Sequence, residues 1–255
     1  MTLSSSSAGT LPTQLEIWQK TLSWQPTEDQ LAQFQRLYEH ILEANQQLNL
    51  TRITEPLEFW EKHLWDSLAG IASMLRLEAL AEETALQPMQ GIDIGTGAGF
   101  PGVPVAIARP HWTVTLTDST RKKITYLEKL TADLGLMNTR TVVGRAETLG
   151  QEKQHRDRYD LAMIRAVGPA SVCAEYTLPL LRVGGLAVLY RGQWSEEDTK
   201  ALEPAVETLG GEVASVESWA TPLTGGVRNC LYLRKVGPTP REFPRLPGVP
   251  TQRPL

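Results

Sequence analysis

The stretch 91-GIDIGTGAGFPG-102 decides how this chain is read. An apolar run with one acid inside it, Asp93, gives way to glycines at 95, 97 and 99 and then to Pro101, a residue suited to the first turn of a helix. A buried strand turning sharply into a helix has this form. Glycine allows φ > 0 in the turn and lets a ligand approach bare backbone. The literal GxGxxG of dinucleotide sites is met at Gly97, Gly99 and Gly102, so a nicotinamide or flavin nucleotide has to be weighed. Counted from the strand end, however, the turn is GxGxG at Gly95, Gly97 and Gly99. A carboxylate inside the strand would repel pyrophosphate but suits a ligand with cationic character.

Working outward, the chain beyond Gly91 alternates short apolar runs with helical stretches. "GIDIG", "TVTLTD", "TRTVVG", "YDLAMIRAV" and "LAVLYRG" read as strands, and residues 101–109, 120–134, 169–181 and 195–209 as helices. Continuous hydrophobicity in the strands means that both sheet faces are covered. The fold class is therefore α/β, an open, doubly wound, mostly parallel sheet. "EVASVESWA" and "VRNCLYLRKV" lack a long helix between them and predict an antiparallel pair at the sheet edge, bringing the strands to seven. Ahead of the sheet, Thr27 and Gln30 form a capping box, and Leu31, Phe34, Tyr38, Ile41 and Leu48 predict an amphipathic helix. A second helix is expected from about Glu55 to Leu75, with Trp60, Leu64, Leu68 and Ile71 inward. The expected organisation is a flexible leader or short helix over 1–26, an N-terminal helical section over 27–85, a catalytic domain over 86–236 and a Pro-rich basic tail over 237–255. The tail is expected as an extended arm rather than a packed element.

At 255 residues and 41% hydrophobic, the chain can bury a large core, and global disorder is excluded. Apolar runs fall short of the ~20 residues a spanning helix needs, so no membrane partner is expected. The start "MTLSSSSAGTLPTQ" has no secretory character and reads as a frayed polar leader. Cys173 and Cys230 stand in no metal-ligand spacing, which predicts no metal and a cytoplasmic location. Net charge is −4, split as −7 over residues 1–90 and +3 over 91–255, a distribution that can orient a polyanion on one face.

About twenty residues beyond the glycine turn, Asp118 closes the second strand, where a carboxylate can accept hydrogen bonds from ribose hydroxyls or cap the helix that follows. Asp93, the glycine turn and Asp118 together describe a pocket for a nucleoside with an amino-acid arm and no phosphates, the shape of S-adenosylmethionine. The blocks "NLTRITEPLEFWEKHLWDSLA", "DIGTGAGFPGVPVAI", "DSTRKKITYL", "GRAE", "IRAV", "RNCLYLRK" and "TPREFPRLPGVP", in that order and spacing, closely resemble the RsmG (GidB) family. The resemblance spans roughly residues 30–255. It implies a Rossmann-like class I methyltransferase that uses S-adenosylmethionine to methylate N7 of one guanine in 16S ribosomal RNA. It assigns cofactor contacts to Gly95 and Phe100 in the turn, to Asp118, Ser119 and Thr120, and to Ala146 and Glu147 beside the adenine. Arg165 is assigned to the reactive end and is the expected catalytic residue. The family's usual serine and lysine are Ile164 and Arg191 here.

Guanine N7 carries an exposed lone pair, so no proton need be removed before methyl transfer. The chain agrees, lacking the [DN]PP[YFW] segment of amino-group methyltransferases and any cysteine at a strand end. The expected partner is small-subunit RNA or an assembling small ribosomal particle, met by a monomer. Lys62, Arg121, Lys122, Lys123, Arg191, Arg228, Arg241 and Arg245 are the expected RNA contacts. Arg165 is expected at a guanine edge or phosphate, or else paired with Asp93 or Glu147; His63 is expected against Asp66, Ser67 or the backbone. The alternatives are a nicotinamide-dependent oxidoreductase, a non-catalytic ribosome-assembly protein and a small-molecule methyltransferase.

Overall fold

The computed structural model describes residues 9–79 and 87–255. The first eight leader residues and most of the link around residues 80–86 lie outside the described residues. In chain order the elements are helices α1 (Leu15–Leu22), α2 (Glu28–Leu48) and α3 (Pro56–Phe59), a π-helical turn (Trp60–Trp65), α4 (Asp66–Ala69) and α5 (Ala72–Ala79). The sheet then begins with β1 (Gln90–Ile94), α6 (Gly102–Ala108), β2 (Thr113–Asp118), α7 (Arg121–Asp133), β3 (Thr139–Val143), α8 (Ala146–Leu149) and β4 (Tyr159–Arg165). It ends with α9 (Ala170–Thr177), β5 (Leu181–Arg191), α10 (Glu196–Thr208), β6 (Gly211–Ala220), β7 (Val227–Lys235) and the short α11 (Val249–Gln252).

The seven strands run in the order β3-β2-β1-β4-β5-β7-β6. The pairs β1–β2, β1–β4, β2–β3 and β4–β5 are parallel, and β7 is antiparallel to both β5 and β6. The predicted antiparallel pair is present, with β7 inserted between β5 and β6. Chain direction across the sheet reverses between β1 and β4. β1 and β4 stay paired to Ile94 and Ile164, but the helices that follow them, α6 and α9, pack on opposite faces, so the connections diverge and leave a crevice outside the carboxyl ends.

Each face of the sheet carries its own apolar core. One joins Ala174, Leu178, Leu189, Leu202, Leu231 and Phe243. The other joins Val114, Leu116, Val105 and Leu127 to Trp18, Phe34, Tyr38, Trp60 and Leu64 of the N-terminal helices, which therefore cover a sheet face. Trp18, fully buried in α1, meets Trp60 edge-on with ring centroids 4.8 Å apart. The frayed leader expected through residue 14 differs at its described end: Leu11 is buried, and its N–H donates to Gln35 Oε1 at 2.8 Å. The capping box of α2 forms as predicted, with Thr27 Oγ1 accepting from the Gln30 N–H at 3.3 Å and Gln30 Oε1 accepting from the Thr27 N–H at 3.0 Å.

Two expectations need correction. The helix expected from Glu55 to Leu75 is interrupted by the π turn and ends at Gly70. A Cβ there would lie 2.3 Å from the Tyr190 ring, and two tyrosines of the sheet take the helix's free carbonyls, Tyr190 Oη donating to Ser67 O at 2.7 Å and Tyr232 Oη to Gly70 O at 3.1 Å. The tail beyond Val236 is packed rather than extended as an arm. Arg156 donates to the carbonyls of Gly150, Phe243, Thr239 and Pro240 at 2.7–3.2 Å. Arg245 grips the buried Glu175 carboxylate, and Lys235 Nζ, itself buried, donates to Thr239 Oγ1 at 2.6 Å. Basic and proline-rich composition reads as solvated because it omits the buried acid that the arginine neutralises.

Candidate active site at the carboxyl ends of the strands

Gly95, Gly97 and Gly99 take φ of 68°, 60° and 102°, the left-handed region that side chains avoid. At Gly95 a Cβ would also lie 2.7 Å from Val167 Cγ2 of the facing β4 turn. Asp93 does not line a cavity, contrary to its expected role as a cofactor contact. Strand alternation points it beneath the turn, where it is fully buried and pins the loop. Its Oδ2 accepts from Thr96 Oγ1 at 2.6 Å and from the Gly102 N–H at 2.7 Å, while Oδ1 has no partner. Burial pushes this carboxyl up to about 6, against those hydrogen bonds. Phe100 also turns inward. It stacks on His63, with centroids 4.3 Å apart and planes 6° from parallel, and meets Phe59 edge-on.

Over the ends of β1, β2 and β3 lies a cavity of about 190 Å³ lined by Gly95, Asp118, Ser119, Arg145, Ala146 and Glu147, with Val167, Tyr176 and Thr251 completing its wall. Asp118 is held in place, its Oδ1 accepting from the Thr120 N–H at 2.8 Å and its Oδ2 from the Gly97 N–H at 3.2 Å, with Lys123 Nζ 3.6 Å away. Gly97 and Thr120 thus orient the acid without lining the cavity themselves. Glu147 accepts from the Gly248 N–H at 2.9 Å, from Arg145 at 3.2 Å and from Tyr176 Oη at 3.3 Å. Burial alone would raise its carboxyl, but the Gly248 and Arg145 contacts bring it below its usual value. Two carboxylates and a bare glycine backbone suit a diol-bearing nucleoside without phosphates. A pyrophosphate would meet Asp118. The lining therefore fits S-adenosylmethionine.

A second cavity, of about 290 Å³, opens at the ends of β4, β5 and β7, lined by Asp66, Arg165, Arg191, Trp219, Arg228 and Asn229 among others. The chain leaves β4 through Ala166 at φ 57°, a left-handed residue that turns Arg165 away from Val167, so one short turn serves both cavities. Arg165 pairs with Asp66 (Nη1 to Oδ2, 2.9 Å), and Arg228 Nε reaches Asp66 Oδ1 at 3.0 Å. Neither Asp93 nor Glu147 is the partner of Arg165. Arg191 donates to Gly168 O at 2.6 Å, and its Nε and Nη2 are buried, with the Cys173 thiol beside the guanidinium.

The π turn presents Asp66 to this cavity. Its wider coil also places Glu61 under the β6–β7 loop, where the carboxylate accepts from Leu223 N, Thr224 N and Thr224 Oγ1. The His63 ring is held by Thr51 Oγ1 at 2.8 Å and faces Arg165 at 3.5 Å; its expected partner Ser67 donates from Oγ to the His63 carbonyl instead of the ring, and Asp66 pairs with Arg165 and Arg228. Burial, with Arg165 and Lys62 nearby, pushes it down to about 3 and keeps it neutral.

A sequence profile described as rRNA small subunit methyltransferase G (GidB) matches residues 30–225. The chain is 62% identical over 245 residues to the ribosomal RNA small subunit methyltransferase G of Trichormus variabilis, covering 96% of this chain and 98% of that one. It is 54% identical over 238 residues to the protein of the same name from Synechococcus elongatus, covering 93% and 95%. The chain belongs to the rRNA small subunit methyltransferase G family. Among solved structures, the antibiotic-resistance methyltransferase Kmr (18% identity, 59% of this chain and 88% of that chain, TM-score 0.50) shares its fold. So does the CMeT domain of the citrinin polyketide synthase (12% identity, 68% and 53%, TM-score 0.52). Among the described residues no helix is long and apolar enough to cross a membrane.

With the family known, the expected site residues divide by place. Gly95, Asp118, Ser119, Ala146 and Glu147 meet in the first cavity; Arg165, Arg191 and Arg228 meet in the second. Of the remaining basic residues, Arg121, Lys122 and Arg241 are exposed, Lys62 and Lys123 are partly covered, Lys62 pairing with Glu58, and Arg245 is engaged by Glu175. Sequence reasoning did not find Asp66, Trp219, Tyr176 or Thr251. Asp66 could have been suspected, being an acid on the inward face of an apolar helix.

Proposed function

We propose that this chain transfers the methyl group of S-adenosylmethionine to N7 of a guanine in small-subunit ribosomal RNA, presented in the cytoplasm as RNA or as an assembling particle. The observation that carries the reading is the pair of adjoining cavities, one carboxylate-lined and one arginine-lined, sharing the β4 turn at residues 165–167. S-adenosylmethionine would supply an activated methyl on a sulfonium. Gly95, Asp118, Ser119, Ala146 and Glu147 would hold its nucleoside.

Guanine N7 attacks with its own lone pair, so the protein needs no general base, and the residues at hand agree. His63 is neutral but buried and hydrogen-bonded to Thr51, Asp93 is sealed under the turn, and burial raises the thiols of Cys173 and Cys230. What remains is alignment, worth up to ~7–11 kcal/mol where the reacting atoms are well placed. Arg165, Arg191 and Arg228 line the second cavity, and guanidinium donors there suit guanine O6 or a neighbouring phosphate. A contact to O6 alone leaves N7 free to react. Arg165 and Arg228, fixed by Asp66, would flank the RNA strand.

The test is transfer of labelled methyl from S-adenosylmethionine to small ribosomal particles and to naked RNA from cells lacking this protein, followed by mapping of the modified base. Label on N7 of a single guanine is expected. Label confined to small molecules would replace this reading with a small-molecule methyltransferase, and RNA bound without turnover would replace it with a non-catalytic ribosome-assembly protein.

A further inference from the structure

The cavity over β1, β2 and β3 is finished by a segment that lies beyond residues 30–225, the part of the chain that the family profile matches. Residues 248–251 reach it because the tail is fastened upstream at two points: Arg156 collects carbonyls of residues 239, 240 and 243, and Arg245 is bidentate on Glu175, which is itself fully buried. Gly150 leaves no room for a side chain beneath Pro244, whose Cγ would lie 2.6 Å from an added Cβ. From this anchorage the Gly248 N–H satisfies Glu147, and the Thr251 side chain reaches the cavity wall beside Tyr176.

The hydroxyls there have an order. Tyr176 Oη is 3.3 Å from Glu147 Oε1, an acceptor only, so the single phenolic hydrogen goes to the carboxylate. Thr251 Oγ1, 3.2 Å from Tyr176 Oη, must then donate to the tyrosine and is left with accepting capacity of its own. We propose that residues 248–251 are part of the cofactor site, forming the wall at the base end of the nucleoside, with Thr251 Oγ1 an acceptor for the exocyclic amino group of its adenine. The base end is the one that the family resemblance gives to Ala146 and Glu147, and the lining agrees with it. Asp118 at the end of β2 is the ribose partner, Gly95 lies at the β1 turn that adjoins the second cavity, and the Glu147–Tyr176–Thr251 corner is what remains. The proposal rests on the reading that the cofactor is S-adenosylmethionine.

The experiment measures binding by calorimetry of S-adenosylhomocysteine and of its deaminated counterpart, S-inosylhomocysteine, to the full chain, to Thr251→Val and to a chain ending at Leu246. An acceptor hydroxyl favours the amino form over the carbonyl form, so the full chain should prefer the adenosyl ligand. Thr251→Val should lose about three- to tenfold in affinity for it, as for one neutral hydrogen bond, and should lose most of the preference. The shortened chain, which keeps the Arg245 clasp, should bind at least tenfold more weakly while its unliganded thermal transition stays cooperative. Unchanged affinity and unchanged preference in Thr251→Val would overturn the proposal whether or not the shortened chain folds. A full chain that binds neither ligand would instead overturn the cofactor reading, and this proposal with it.

Discussion

At the scale of single residues, the turn after β1 separates two demands usually merged under the word glycine. Gly102 is needed for space: a Cβ would lie 2.3 Å from Leu116 Cδ2 and 2.8 Å from Asp93 Oδ2, so Gly102→Ala should cost the unliganded fold about 1–3 kcal/mol in urea unfolding. Gly97 is needed for its φ of 60°. Nothing nearer than 3.8 Å crowds its Cβ position, so Gly97→Ala should cost only about 1 kcal/mol and show its larger effect on cofactor affinity. His63 gives a prediction with a sign. Its folded value near 3 lies below the ordinary 6.5, so as pH falls from 6.5 toward 3 the unfolded chain takes up a proton that the folded one refuses. The contribution is intact above pH 6.5 and is lost on acidification. The stability difference between the native chain and His63→Gln should therefore change with a slope approaching ~1.4 kcal/mol per pH unit below 6, in favour of the variant. A difference that stays flat between pH 6 and pH 4 would mean that the imidazole is open to protons in the fold.

At the scale of elements, the strands were legible as short runs of apolar residues and threonines, broken only by a few charged or polar residues, and β1, β2 and β4 are buried along almost their whole length. Asp118 was legible too, since its distance from the glycine turn follows from one strand–helix–strand unit. The π turn was not legible. It inserts its extra residue within two coils, and Trp60, Leu64 and Leu68 keep a spacing that a regular helix also satisfies. Nor was the insertion of β7 between β5 and β6, because hydrophobic pattern carries no information about which neighbour a strand selects. Asp66, offered by this turn, makes a further prediction. Asp66→Ala releases Arg165 and Arg228 together, so methyl transfer to RNA should fall by about tenfold or more, while S-adenosylhomocysteine affinity stays within twofold because Asp66 does not border that cavity.

At the scale of the whole molecule, the long-range ties are ionic and polar contacts that composition cannot pair. Glu175 with Arg245, and Arg156 with the carbonyls of Thr239, Pro240 and Phe243, join segments about seventy to ninety residues apart, and each partner viewed alone reads as surface. Replacing Arg156 by Ala leaves up to four carbonyls short of a donor. It should lower unfolding stability by about 2–3 kcal/mol and raise proteolytic cutting within residues 237–255. The overall charge of −4 likewise does not show which basic residues are exposed, as Arg121, Lys122 and Arg241 are; the proposed function assigns these to RNA. Binding to small-subunit RNA should weaken linearly in log–log terms with added salt, the slope counting the phosphates neutralised.

Phe100 of the glycine turn, the His63 ring and the Arg165 guanidinium touch in series, with Arg165 also 5.7 Å above the Phe100 ring. On the reading proposed above, these contacts run between the cofactor site and the RNA site. Whatever factor RNA imposes on the affinity for S-adenosylhomocysteine must be returned by that product on the affinity for RNA. If the factor exceeds one, spent cofactor would retain the modified RNA, making departure from the ribosomal particle an ordered event rather than two separate escapes.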